Sequence, residues 1–555
     1  MAVPVPRHKL QTRWGQLKTE RASWMEHWKQ ISDNLLPRSG RFFVQDRNRG
    51  DRRYNNIYDS EGTRCLRILA AGMMGGMTSP ARPWFTLQTT DPDLSKSAAV
   101  KAWLKEVSDL LLMVFQRSNT YRALHSVYQE LGAFGTAATI IAPDYRNVLH
   151  HTTLTTGEYC IATNWKGEVD TLYREFQKTV HELVGEFGVT NVSPTVRSMY
   201  ERGSLDEWVT VIHCIEPRGD RDPSARDAKN MAWKSVYFET GASPDKYLRE
   251  SGFKAFPALC PRWDTVGGDI YGNSPGMEAL GDVKQLQHEQ LRKAQGIDYM
   301  TKPPLQVPTG MKNRDVDMLP GGITFVDAAS ANGGIKSAFD VNLNLQHLLG
   351  DIQDVRTRIR GAFYADLFLM LANQADTRMT ATEVAERHEE KLLMLGPVLE
   401  RLQNELLDPL IESAFTNLMA AGAVPPAPPE LRGHELNVRL EGMLAQAQRA
   451  IGVNSIDRLT QGIGVVAQAL PTVLDNFDAD KWASIYADSL GVDPRLLRGE
   501  DDVAALRQQR AQAQQQAAQQ EQAAQAANTA KTLAQAPTTG GNALTDVTRA
   551  FSGYT

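Results

Sequence analysis

The chain has 555 residues, of which 42% are hydrophobic and 23% charged, and its formal net charge is −5. This composition is that of a globular protein long enough for several domains or for one large elongated subunit. The mild negative charge argues against a protein that holds nucleic acid tightly through its phosphates, because such proteins are usually basic.

Four scattered cysteines, Cys65, Cys160, Cys214 and Cys260, form no C-x-x-C pair. They are too few for a disulfide framework and lack the spacing of a zinc site, which favours a reducing compartment. The first residues contain no apolar segment of the kind that secretory signals carry. The longest apolar stretches are too short to cross a membrane, so the sequence predicts a soluble protein.

Residues 7–36 are predicted to form a long amphipathic helix. Large apolar residues recur there at spacings of three and four, and Arg21 occupies one of the apolar positions. Pro37 ends the helix, because the residue before a proline is disfavoured in the α region. The arginine-rich loop at residues 38–53 fits either a solvated arm or a docking surface for an acidic partner.

Helical patterns dominate residues 57–142, whereas residues 145–260 contain short β-rich runs separated by Gly, Pro and Asp. A helix with a thin apolar stripe is predicted over residues 277–300, and a second helix over about 340–371. The segment between these helices is rich in Pro and Gly. Two adjacent prolines there restrict the run Leu-Gln-Val to an edge strand at best.

A capping box at residues 380–383, with the sequence Thr-Ala-Thr-Glu, predicts the start of a third long helix that runs to about residue 421. Pro397 lies inside this helix and predicts a kink. Further helices are predicted from about 440 to 500. The tail beyond them is rich in Ala and Gln and has little apolar surface to bury. We expect it to be frayed or disordered unless it packs beside copies of itself or another partner.

The motif Gly272-Asn273-Ser274-Pro275-Gly276 has the G-x-S-x-G pattern of a serine-hydrolase nucleophile elbow. That elbow requires an N–H donor on the residue after the serine, and Pro275 has none. Asn273 and Ser274 are instead suited to cap a helix with Pro275 at its first position. The sequence contains no H-E-x-x-H motif and no complete phosphate-binding loop, so we predict no catalytic residue, no metal site and no cofactor.

The order and spacing of several longer segments resemble the portal proteins, or head–tail connectors, of short-tailed bacteriophages. The segments that carry this resemblance are NLLPRSGRF, IYDSEGTRCLRILAAGMMGGMTSPARPWFTL, LGAFGTAA, YGNSPGMEALGDVKQLQ, KPPLQVP, MTATEVAERHEEKLLMLGPVLERLQNELLDPLI and GMLAQAQRA. Together they extend over nearly the whole chain.

The resemblance implies an α+β, mainly helical portal fold, with twelve copies in a ring around a channel for double-stranded DNA. The implied parts are a wing (residues 1–272 and 381–430), two stem helices (273–300 and 340–370), a small α/β clip (301–339), a channel loop (371–380), a helical crown (431–500) and an Ala/Gln-rich tail (501–555) that forms a helical barrel or is disordered.

The resemblance also implies three groups of site residues. The channel loop would present to the DNA the residues Asn373, Gln374, Ala375, Asp376, Thr377 and Arg378. The clip interface would include Pro303, Pro304, Lys312 and Arg314. The first stem helix would start at Asn273, Ser274 and Pro275.

The implied partners are copies of the chain in a dodecamer, DNA in the channel, the terminase, the major capsid and scaffold proteins, tail adaptor proteins, and internal core or ejection proteins. The implied location is the portal vertex of the virion, after assembly in the host cytoplasm, with no membrane and no enzymatic activity. The low net charge suits a conduit, because each tightly held phosphate would oppose sliding. Another ring-forming virion component, such as a tail adaptor, stays an alternative, as does a serine hydrolase.

Overall fold

The computed structural model describes residues 7–46, 56–302, 305–306, 336–337, 345–373 and 394–442, with a few short interruptions, and most of residues 456–490 and 500–534. The chain divides into two units, residues 1–454 and 455–555, and each is described by itself. The first unit combines long helices with antiparallel sheets, so the prediction of an α+β class is confirmed.

The first unit begins with helices. These are α1 (Arg7–Asn34), α2 (Glu61–Met77), α3 (Ala98–Arg117) and α4 (Thr120–Phe134). The helix predicted over residues 7–36 is therefore confirmed. Helices α2 and α4 pack closely because Gly132 has no side chain: a Cβ atom there would lie 2.7 Å from the Leu69 side chain. Both helices contribute to the largest hydrophobic cluster.

Strands occupy most of the region predicted to be β-rich. A three-stranded sheet in the order β3-β2-β9 contains β2 (Ala138–Asp144), β3 (Val148–Leu154) and β9 (Ala258–Leu259). An antiparallel meander contains β4 (Tyr159–Thr163), β5 (Val169–Thr179), β6 (Trp208–Pro217), β7 (Trp233–Glu239) and β8 (Arg249–Phe253). Helices α5 (Val180–Phe187) and α6 (Pro194–Glu201) lie between β5 and β6, and β1 (Phe85–Thr89) pairs with β12 (Leu436–Leu440).

Helix α1 packs into two separate hydrophobic clusters. Its first half contributes Leu10, Trp14 and Leu17 to a cluster with side chains of the meander. Its second half contributes Trp28 and Ile31 to the largest cluster, which contains α2 and α4. The apolar residues that recur along α1 thus pack into two separate hydrophobic cores.

The charged residue on the apolar face of α1 lies between these two clusters. Arg21 is buried, and its guanidinium donates hydrogen bonds to the backbone carbonyls of Gly157 and Tyr159 at 2.9 and 2.5 Å. Gly157 has a φ of +92° and lies at the turn before β4. Arg21 is therefore accommodated at an apolar position of α1 because it satisfies two backbone carbonyls that the helix covers.

The helices predicted around residues 277–300 and 340–371 are both present. A short helix α7 (Pro275–Glu278) leads into α8 (Leu280–Thr301), and α9 (Leu345–Ala362) is followed by α10 (Ala365–Asn373). Helices α8 and α9 pack against each other, and we call them the helix pair. The prediction of one continuous second helix is wrong, because Tyr364 adopts a φ of +52° between α9 and α10.

Between the two helices of the pair, β10 (Leu305–Gln306) and β11 (Lys336–Ser337) form a two-stranded antiparallel ribbon. Within the described residues, each of these strands pairs with one neighbour, as an edge strand does. The other residues of the 303–344 segment lie outside the described residues.

The third long helix contains an irregular turn at Gln403–Leu407, whereas the residues before Pro397 that a kink there would involve lie outside the described residues. Residues 394–402 form α11, a π-helical turn spans Gln403–Leu407, and α12 (Asp408–Ala420) follows. Pro409 is the second residue after this turn and lacks the N–H that a regular helix would use. The wider π-helical bonding accommodates this missing donor, and the kink predicted at Pro397 stays a prediction. The predicted capping box at residues 380–383 lies outside the described residues.

The second unit is helical where it is described, with α13 (459–467), α14 (Ala479–Leu490) and α15 (Glu500–Ala534). The side chains of α15 are almost all exposed. Arg507 of α15 donates two hydrogen bonds of 2.6 Å to Asp480 of α14. The chain is helical over the 35 residues Glu500–Ala534, which the strong helix preference of Ala and Gln favours. The expectation that this segment needs copies of itself or another partner to stay ordered stays a prediction.

Within the described residues, no helix has both the length and the hydropathy to cross a membrane. The same residues contain no group of three or more His, Cys, Asp or Glu side chains that could hold a metal ion.

Candidate functional site: the base of the helix pair

Most of the site residues implied by the resemblance lie outside the described residues. Asn373 is the last residue of α10. The residues that the structure does not describe are Gln374, Ala375, Asp376, Thr377 and Arg378 of the channel loop, and Pro303, Pro304, Lys312 and Arg314 of the clip.

Ser274 is the N-cap of α7, at the start of the helix pair. Its Oγ accepts a hydrogen bond from the Met277 amide at 3.0 Å and donates one to the Ala133 carbonyl at 2.8 Å. Pro275 occupies the first helical position, and the Asn273 amide donates to the Asp264 carbonyl at 2.7 Å. The Ser274 side chain is fully buried, so its hydroxyl has a structural role and no access to a substrate.

Replacing Ser274 by Ala is expected to lower the free energy of unfolding by about 1 kcal/mol, because the Met277 amide loses its cap. Urea denaturation of the purified protein measures this change. Esterase activity should be at background in both proteins, and an activity that disappears in the variant would contradict the structural role.

The turn before Ser274 lies directly against the C-terminus of α4. Gly135, the C-cap of α4, has a φ of +74°, and a Cβ atom on it would lie 2.1 Å from the carbonyl oxygen of Gly272. The Gly272 amide donates to Thr136 Oγ1 at 2.8 Å, and the Trp263 amide donates to the Gly135 carbonyl at 2.8 Å. The backbone on both sides is thus held in place, and it fixes where the helix pair begins.

A second set of contacts ties the helix pair to the segment before α2. Gln287 of α8 accepts hydrogen bonds from the amides of Tyr58 and Asp59 at 2.6 and 2.8 Å. Its own amide group donates to the Asp59 carbonyl at 2.9 Å. A single buried side chain therefore satisfies three backbone groups of a distant segment.

Two carboxylates at the start of α2, those of Asp59 and Glu61, extend these contacts to α9. Asp59 accepts hydrogen bonds from Arg356 of α9 at 2.8 Å and from Gln290 of α8 at 2.7 Å. Glu61 accepts one from Arg360 at 2.5 Å. Arg356 and Arg360 lie one turn apart on the same face of α9. We call the six residues Asp59, Glu61, Gln287, Gln290, Arg356 and Arg360 the polar joint.

The sequence gives no local signal for the polar joint. Asp59 and Gln287 are 228 positions apart, and Asp59 and Arg356 are 297 apart. Neither a motif nor a periodicity brings such residues together, so only the fold reveals that the base of the helix pair is bonded to α2.

Burial alone would raise the pKa of Asp59, but hydrogen bonds from Arg356, from the Glu61 amide and from Gln290 outweigh it and lower the pKa. A carboxylate with a lowered folded-state pKa stabilises the fold above its unfolded pKa, near 4, and this contribution is lost as the pH falls through the folded value. Asp59→Asn is therefore expected to reduce the melting temperature at pH 7 and to flatten its decline below about pH 4.

Melting curves between pH 2 and 7 measure this effect. Asp109→Asn is the matched control, because Asp109 forms an exposed pair with Lys105 at 2.9 Å. Equal pH profiles for the Asp59 variant and the unchanged protein would contradict the role given to Asp59.

The end of the helix pair away from the polar joint exposes apolar side chains. Ile297 and Met300 of α8 are 40% and 47% exposed, and Leu349 of α9 is 47% exposed. Gly296, next to Ile297, is buried, and Ile352 and Val355 begin the packed part of α9. The helix pair is therefore anchored at one end, and at the other end its apolar side chains have no cover among the described residues, which leave out most of the segment 303–344.

The chain matches a family of known proteins over residues 7–497, the family described as bacteriophage head to tail connecting protein. The match covers well over half of the sequence, so the chain belongs to this family. It is 64% identical over 555 residues to the probable portal protein of Bordetella phage BPP-1, with 100% of both chains covered. It is 44% identical over 545 residues to the portal protein of Salmonella phage epsilon15, with 98% of each covered. The resemblance found in the sequence is confirmed.

Solved structures with a similar backbone come from gene transfer agent particles. One is a chain of the virion of a native gene transfer agent particle, with 10% identity and a TM-score of 0.36. Another is a chain of the neck of an empty particle, with 13% identity and a TM-score of 0.37. Each match covers 82% of this chain and 96% of the other chain.

Proposed function

We propose that the chain is the subunit of a portal ring at one vertex of a phage capsid. Twelve copies surround the channel through which double-stranded DNA is packaged and later ejected. The ring is the docking platform for the terminase motor and then for the tail adaptor proteins. Its other partners are the major capsid and scaffold proteins and internal core or ejection proteins, and it assembles in the host cytoplasm.

The observation that carries this proposal is the match to the connector family over residues 7–497. The helix pair supports a ring in particular. Exposed apolar side chains such as Ile297 and Leu349, on helices anchored at the other end, have no cover among the described residues, and a neighbouring copy would supply it. A ring of copies gives each helix pair two neighbours, because a head-to-tail interface closes on itself.

In the proposed ring, α8 and α9 form the stem, the segment between them forms the clip, and the segment after α10 forms the channel loop. Twelve copies of Asp376 and Arg378 would face the DNA. The aspartates repel phosphate and the arginines attract it, so contact with the DNA is weak and the loop acts as a sliding collar. Replacing residues 374–378 by Gly and Ser should preserve rings and reduce the amount of retained DNA.

Electron microscopy of the purified protein tests the ring directly. We expect rings with a central bore. Leu349→Glu should reduce the fraction of chains in rings, because it places a charge in the proposed interface between copies. Met419→Glu is the matched control, since Met419 is also exposed on a helix but lies on α12.

A purified protein that stays monomeric at every concentration tested would overturn the proposed ring. Rings that form equally well with Leu349→Glu would exclude the helix pair as the interface. Ester hydrolysis that depends on Ser274 would favour the alternative of a serine hydrolase.

A further inference from the structure

Two ionisable pairs lie between the helices of the helix pair, and they differ in charge. Near the base, Asp282 of α8 forms an ion pair with Arg358 of α9 at 2.9 Å. Seven residues further along α8 and seven residues back along α9, Glu289 and Asp351 take the corresponding positions, because two helical turns move both side chains along the same faces. The second position therefore holds two carboxyl groups where the first holds opposite charges.

Glu289 is nearly inaccessible in this arrangement, with 8% of its surface exposed. Its Oε1 accepts a hydrogen bond from Gln285 Nε2 at 2.6 Å. Its Oε2 is buried and has no hydrogen-bond donor among the described residues. A buried carboxylate oxygen without a donor costs free energy, and native structures rarely leave one without a proton, a water or an ion.

The electrostatics of Glu289 agree with this geometry. Burial raises its pKa, the Gln285 hydrogen bond lowers it, and Asp351 raises it further. The Arg358 guanidinium lowers this pKa, but it is already engaged by Asp282 and Asp354. The position thus has an excess of negative charge that the helices themselves do not neutralise.

We propose that Glu289 and Asp351 together bind a divalent cation of the hard, oxygen-preferring class, Mg²⁺ or Ca²⁺. Such ions take carboxylate oxygens, and Mg²⁺ in particular is held by one or two carboxylates while it keeps several waters. Two protein carboxylates are therefore enough, although no group of three or more metal-ligating side chains occurs among the described residues. Asp351 is exposed, so the ion reaches the site from solvent.

The ion cross-links α8 to α9 beside the polar joint, since Glu289 lies between Gln287 and Gln290 on α8. It replaces repulsion between the two carboxylates with a shared attraction. Binding therefore stabilises the helix pair, because only the folded chain brings the two ligands together.

The test uses the full-length protein after treatment with EDTA. MgCl₂ and CaCl₂ are titrated separately by calorimetry, and melting temperatures are compared with those in NaCl of equal ionic strength. Glu289→Gln and Asp351→Asn should each weaken binding about tenfold or more and abolish the rise in melting temperature, because each removes a ligand. Asp109→Asn should leave both unchanged, since Asp109 lies on α3 in an exposed pair with Lys105.

Two results would overturn the proposal. One is the absence of a divalent-specific heat or melting shift in the unchanged protein. In that case, a higher melting temperature for Glu289→Gln without any divalent ion would assign the pair to a shared proton. The other is undiminished binding in Asp351→Asn, a variant at an exposed position that is expected to fold.

Discussion

Replacing Gly135 by Ala is expected to destabilise the protein by about 4 kcal/mol, within the range of the severest point mutations. The added Cβ would lie 2.1 Å from the Gly272 carbonyl oxygen, and that oxygen belongs to backbone that cannot rotate away. The Gly272 amide is bonded to Thr136, and Asn273 is bonded to Asp264, so the neighbouring chain is fixed as well. The start of the helix pair would have to shift as a whole.

Gly203→Ala separates this clash from the cost of the backbone conformation. Gly203 has a φ of +80°, similar to the +74° of Gly135, but nothing lies within 4 Å of an added Cβ. The control should therefore cost only about 1 kcal/mol, the usual price of a left-handed residue. Urea denaturation followed by tryptophan fluorescence measures both variants. Equal losses would show that the contact with Gly272 adjusts at no cost.

Replacing Arg262 by Met is expected to lower the free energy of unfolding by about 3 kcal/mol, because the partly buried Glu405 carboxylate loses its guanidinium partner. The guanidinium donates to Glu405 at 2.6 and 3.3 Å and to the Gly167 carbonyl at 2.8 Å, and the Arg262 amide also donates to Glu405. One side chain thus joins the segment after β9, the turn between β4 and β5, and the π-helical turn that contains Glu405.

The matched control for Arg262 is Lys105→Met. Lys105 pairs with Asp109 at 2.9 Å, but both side chains are largely exposed, and such pairs contribute less than about 1 kcal/mol. Thermal unfolding of both variants gives the comparison. A loss for Arg262→Met no larger than that for Lys105→Met would mean that water replaces the guanidinium at Glu405.

The sequence predicted the elements whose signal is local. The spacing of apolar residues located α1, and the thin apolar stripes located α8 and α9. The residue pair Ser274-Pro275 indicated a capped helix start, and the missing N–H of Pro275 argued against a nucleophile. Each of these inferences depends on neighbours along the chain.

The features that escaped prediction depend on distant parts of the chain. The helix break at Tyr364 was not predicted, because no proline marks it in the sequence. It allows α10 to pack closely on α2, where a Cβ atom on Gly72 would lie 2.2 Å from the Phe368 side chain. The π-helical turn at Gln403–Leu407 was not predicted, because no local motif marks it. The polar joint joins residues more than two hundred positions apart, for which one sequence offers no pairing rule.

Helix α1 belongs to two hydrophobic clusters, and this has a consequence for the order in which the first unit unfolds. Leu17 and Trp28 lie in different clusters on one continuous helix. Opening either cluster would therefore break either the contacts of α1 with the other cluster or the helix itself. The meander and the helical layer should therefore behave as one cooperative unit. Amide hydrogens in the middle of α1, around Arg21, should exchange with solvent only through global unfolding, as the slowest class in the protein.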